Sequence, residues 1–128
     1  MVREWKIFKG EPTPRRRDRL RVTINPRGVI LVNRKAFEVM GRPEAVLLMY
    51  DERHQAIGLQ PASAGEQYAF PLKSKDKVTH RTIYAWPFCK FFKLKPPKTV
   101  SFTSPELDHN GVLMLHLNHA TEVGRGEG

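Results

Sequence analysis

Shifted against itself by 54 residues, the chain falls into register with itself. Phe37 meets Phe91, Met40 meets Leu94, Pro43 meets Pro97, Val46 meets Val100 and Leu48 meets Phe102. A repeat of this kind restricts the fold more than any other feature. One unit cannot bury its apolar face alone, whereas two units packed face to face can.

Each unit reads as β-α-β-β. Residues 20–24 alternate apolar and polar, as a half-buried strand does. Asn25-Pro26-Arg27-Gly28 has turn chemistry, and a short buried strand follows over 29–32. Asn33 is a good N-cap, and Ala36, Phe37, Val39 and Met40 share one face of the helix behind it. Gly41 stops that helix and Pro43 prevents its continuation. A hairpin follows, from 45–50 through Asp51–His54 to 55–60. In the second unit 83–86 is the short strand, and part of 67–72 plays the role of strand 20–24. A helix over 87–94 carries Phe88, Phe91 and Phe92 on one face. Strands 99–103 and 112–117 then form a second hairpin with an Asn110-Gly111 turn and a loop two residues longer. We therefore expect an α+β, β-rich fold with units at 20–62 and 63–120. A basic flexible arm at 1–19, whose Trp5, Ile7 and Phe8 are candidates for docking on the body, precedes them, and a flexible tail at 121–128 follows.

The charge speaks to partners rather than to fold. Lys and Arg number 22 against 13 Asp and Glu, a net +9, with the larger excess in residues 1–60. Such a field attracts polyanions, nucleic acid first, with acidic lipid or an acidic protein behind it. No apolar run reaches the ~20 residues of a membrane span. The N-terminus has no secretory h-region and Cys89 has no cysteine partner, so cytoplasmic residence is expected.

The run from Arg27 to Gly41, with the hairpin behind it, resembles the swapped-hairpin DNA-binding module of the SpoVT/AbrB-like family. Gly28 and Gly41 stand at that family's two glycines. Val29 replaces its arginine and Asn33 its proline; the second unit keeps the proline as Pro87 but has Thr82 and Lys95 at the glycines. The resemblance covers roughly 20–61 and 80–118. It implies a pseudo-symmetric swapped-hairpin-like barrel, as a monomeric pseudo-dimer or a homodimer, and transcriptional control through duplex DNA. The missing arginine favours the alternative, a non-enzymatic protein-interaction or accessory module that kept the fold and lost the DNA contacts.

For nucleic-acid contact the candidates are Arg15, Arg16, Arg17, Arg19 and Arg21 in and beside the arm. Arg27 in the turn and Arg34 and Lys35 at the helix start join them, with Arg81, Lys90 and Lys93 in the second unit, where Lys95 and Lys98 extend the positive face. Cations beside the free amides of a helix start suit phosphate, and Arg27, Arg34 and Lys35 are expected to converge on one groove. Tyr68, Phe70, Tyr84, Trp86 and Phe88 either offer single strands a stacking platform or fill the core, and their spacing favours the core. The five histidines are scattered, with His116 and His119 expected on opposite faces of a strand. No phosphate loop, nucleophile elbow or dinucleotide fingerprint is present. We expect no enzymatic activity, no metal and no cofactor.

Overall fold

The computed structural model describes residues 4–6, 19–74, 80–102 and 104–123. Its first elements form for local reasons. Strand β1 (Val22–Ile24) turns into β2 (Val29–Val32) around Asn25. The Asn25 carboxamide oxygen accepts from the amides of Arg27 (2.9 Å) and Val29 (3.0 Å), and Gly28 closes the turn at φ +79°. Helix α1 (Arg34–Val39) starts on Asn33, whose Oδ1 accepts from Ala36 N at 2.9 Å. It ends with Gly41 at φ +88°, where Gly41 N donates to Glu38 O and Arg42 N to Phe37 O. That pair of bonds is a Schellman stop, and glycine suits its left-handed residue. Strands β3 (Ala45–Asp51) and β4 (Ala56–Ala62) form the first hairpin.

The remaining elements are β5 (Phe70–Pro71), β6 (Arg81–Tyr84), helix α2 (Trp86–Phe91), β7 (Val100–Phe102), β8 (Glu106–Leu107), β9 (Leu113–His116), a 3₁₀ turn at Leu117–His119 and β10 (Ala120–Glu122). The strands build two five-stranded antiparallel sheets, ordered β10-β7-β1-β2-β6 and β5-β3-β4-β9-β8. Four ladders join the halves of the chain. Ile30 pairs with Ile83 and Val29 with Tyr84, and exchanging positions 54 apart converts one pair into the other. Ile57 pairs with Leu115 and Leu59 with Leu113, which interchange under a shift of 56. Likewise Val46 pairs with Phe70 in one sheet as Val100 pairs with Ile24 in the other.

Several expectations change. The described strands close no barrel: a single bridge between Lys73 and Thr82 joins the two sheets along one side. The second hairpin does not form as the first does. β7 pairs with β1 and β10, whereas β9 pairs with β4 and β8 in the other sheet. Between β7 and β8 lies Pro105, which has no amide hydrogen for a ladder, and the chain changes sheets there. The Asn110-Gly111 turn is built on Asp108, whose Oδ1 accepts from Asn110 N and Val112 N, as Asn25 does in the first turn. Helix α2 starts and ends earlier than 87–94, so its offset from α1 is 52 rather than 54. Lys93, not Lys95, therefore takes the left-handed stop position of Gly41, at φ +58°. Residues 120–122, partly in the expected tail, are paired as β10. Trp5 is 80% exposed; Ile7 and Phe8 lie outside the described residues.

Both sheets turn their buried side chains into one core. Val22, Ile24, Ile30, Val32 and Ile83 come from one sheet, and Val46, Ile57, Leu59, Leu113 and Leu115 from the other. Each such side chain contributes about 1.5–3 kcal/mol over its exposed state. The tightest approach is backbone on backbone: a Cβ placed on Gly28 would lie 2.6 Å from Trp86 Cα. Ala85 N also donates to Gly28 O at 2.9 Å.

Two outcomes are expected. Gly41→Ala, with open space around its Cβ, should cost only the left-handed strain of about 1–2 kcal/mol. Gly28→Ala adds overpacking to that strain and should cost about 2–5 kcal/mol in chemical denaturation. Equal losses would show that the contact with Trp86 relaxes freely. A fragment spanning 20–60 should aggregate or self-associate, because it leaves β2 without β6 and β4 without β9; a cooperatively folded monomer by ultracentrifugation would overturn that expectation.

Candidate nucleic-acid interface

The first turn and the second helix build one groove between them. Because Gly28 lies against Trp86, Arg27 is carried to α2, and a groove of about 570 Å³ opens there. Its walls include Arg27, Trp86, Cys89, Lys90, Lys93 and Lys95. The remaining described lining is Pro26, Gly28 and Leu94, so among the described residues the groove carries four cations and no acid. Arg27, Lys90 and Lys93 were legible as candidates from charge alone, and Lys95 as an extension of their positive face. Lys95 joins them because the Schellman stop at Lys93, with Leu94 N donating to Cys89 O at 2.8 Å, curls the chain back over the helix end.

Arg34 and Lys35 lie elsewhere. They are exposed at the start of α1, separated from Arg27 by the whole of β2, about 13 Å of extended chain. The expected convergence of Arg27, Arg34 and Lys35 is therefore replaced by that of Arg27 with the lysines of α2. Arg34 faces Glu38 at 3.7 Å, and Glu38 also holds Arg42 at 3.1 Å. Arg81 is half-buried with its guanidinium 4.1 Å from the centre of the Phe37 ring. It stands to α1 much as Arg27 stands to α2. Helix α1 has only six residues, too few for a strong terminal dipole. Arg19 and Arg21 are tied through their backbones to Asn33: its Nδ2 donates to Arg19 O (2.6 Å) and its Oδ1 accepts from Arg21 N (3.2 Å). Arg15, Arg16 and Arg17 lie outside the described residues.

The aromatic residues divide. Phe88 is buried and Phe70 half-buried, as the core reading requires, but Tyr68, Tyr84 and Trp86 are exposed at 80%, 52% and 57%. Phe91 also stands out at 77%, edge-on to Phe92, because α2 follows α1 at an offset of 52 rather than 54, which turns Phe91 away from the core. Lys90 Nζ lies 6.0 Å from the Trp86 ring centre, and Lys73 Nζ 5.8 Å from that of Tyr84. The sequence could not show this, since an apolar pattern does not say which ring a two-residue shift exposes.

His116 and His119 come together, ring centres 5.5 Å apart, because the chain enters a 3₁₀ turn rather than continuing the strand. No group of three metal-ligating side chains is present among the described residues. Asp51 is held below the usual carboxylate range by its bond with the His54 ring at 2.7 Å, on the exposed tip of the first hairpin. Ser101 Oγ is buried, with no hydrogen-bond partner among the described residues.

No family model, curated protein or solved structure matches the chain. None of the described helices is long and apolar enough to cross a membrane.

Cys89 supplies the test of the groove's floor. It is 5% exposed and burial pushes its thiol up, so at neutral pH it stays protonated. A thiol reagent should label it slowly in the native chain and readily in denaturant. Labelling at the denatured rate under native conditions would mean that the floor opens freely.

Proposed function

We propose that this chain binds nucleic acid through the groove between the first turn and helix α2. The observation that carries this is the meeting of Arg27 with Lys90, Lys93 and Lys95, with no carboxylate among the described lining residues. Four cations held together repel one another, a cost offset when phosphates neutralise them and release counterions. The chain's +9 charge extends the attraction beyond the groove. In this reading two β-α-β-β units form one pseudo-symmetric body in the manner of the SpoVT/AbrB-like family, and the role is regulatory binding to duplex DNA. The symmetric registers of the β2–β6 and β4–β9 ladders support the two-unit body. The interaction-module alternative draws on Val29 at the family's arginine position and on Arg34, which Glu38 engages.

A salt series decides between them. The triple change Arg27, Lys90, Lys93→Ala should lower the log–log salt slope on duplex DNA by about 2–3, from ~0.9 per phosphate contact. Arg34, Lys35→Ala should lower it by less, since Arg34 already has Glu38. Unchanged affinity and slope for the triple variant at moderate salt would end the groove assignment, and the interaction-module reading would replace it.

A further inference from the structure

The groove's cations account for phosphate but not for its aromatic wall. Trp86 keeps 57% of its surface in water on a chain with ample core to receive a ring. Its backbone is held from two sides: Gly28 leaves no room behind its Cα, and Ala85 N bonds Gly28 O at 2.9 Å. Pro87 follows and fixes the next backbone angle. A ring presented in this way loses little backbone freedom when something stacks on it.

Resting on the reading of the groove as a nucleic-acid face, we propose that Trp86 is a stacking residue for an unpaired base, so that besides duplex the groove takes single-stranded nucleic acid. The chemistry fits in two respects. Every base has a π-face, so an exposed indole stacks with any of them, and a lysine beside the ring meets the phosphate of the stacked nucleotide. Lys90 stands 6.0 Å from the Trp86 ring centre, with Arg27, Lys93 and Lys95 in the same lining. Tyr84, two residues back on the outer strand β6, repeats the pairing with Lys73 at 5.8 Å and offers a second base position. An anionic membrane surface also attracts Lys and Trp, but here Trp86 lies in a concave groove with Arg27, Lys90, Lys93 and Lys95 around it. A charged groove beside a ring follows the backbone of a strand, whereas a bilayer offers a broad surface.

Trp5 and Trp86 are the chain's two tryptophans, so Trp5→Phe leaves Trp86 as the reporter. The full chain carrying that change is titrated with an oligothymidylate of about 12 nucleotides, a mixed-sequence duplex, and vesicles of phosphatidylcholine and phosphatidylserine. The oligothymidylate should quench Trp86 emission. Trp86→Ala should weaken its binding about 5- to 150-fold, the measured worth of one stacked base, while Trp86→Phe retains most of the affinity. Thermal melting of each variant checks folding, and the quenching itself needs no change at Trp86. If the oligothymidylate binds with emission unaltered, or Trp86→Ala binds as well as the parent, the stacking role is wrong while the nucleic-acid reading stands. Binding to the duplex alone has the same consequence. Failure to bind either nucleic acid overturns both readings, and a Trp86 response to vesicles alone reassigns the face to lipid.

Discussion

Gly28 lies against the start of α2 with less space between them than one methyl group requires. The positive φ there, the contact with Trp86 and the bond from Ala85 N act together. They fix where β6 ends and α2 begins, and so hold β2 and β6 in the register that pairs Val29 with Tyr84. They also bring Arg27 to the lysines of α2. An alanine at that position would push apart the two segments that make the groove. Glycine is needed here for space as well as for backbone angle, and neither requirement alone would bind the two halves so closely.

The same contact explains why the surface is mixed rather than simply basic. Placing α2 at an offset of 52 rather than 54 from α1 turns Phe88 and Cys89 into the core and leaves Trp86 and Phe91 outside. The lysines between and after them then stand beside exposed rings. On α1 the offset is different: Ala36 and Met40 fill the core and Arg34 is engaged by Glu38. Two stretches with similar apolar patterns thus carry different surfaces, and the chemistry concentrates on the second helix.

Two polar residues do much of the local organising. Asn33 caps α1 and ties Arg19 and Arg21 to the body through both ends of its carboxamide. Asn25 and Asp108 each fold a turn by accepting two amides, with Gly28 and Gly111 behind them at positive φ. These turns depend on short-range bonds, and the sheets are free to arrange themselves around them.

Local bonds and periodicity were readable in the sequence because their partners lie a few residues apart. The cap at Asn33, the stop at Gly41, the strand at 22–24 and the first hairpin all follow from neighbouring side chains. The spacing of 54 also foretold that positions in the two halves would be related, and the β2–β6 register has that symmetry. Arg27, Lys90 and Lys93 were legible as charges but not as one site. What the tertiary structure alone decided is which strands meet and which rings stay outside. β7 and β9 look like a hairpin in sequence, yet Pro105 breaks the ladder and each finds its partner in a different sheet. The start of α2 is set by Gly28, 58 residues earlier in the chain. Contacts of that range depend on packing against the whole core, and no window of the sequence contains both partners.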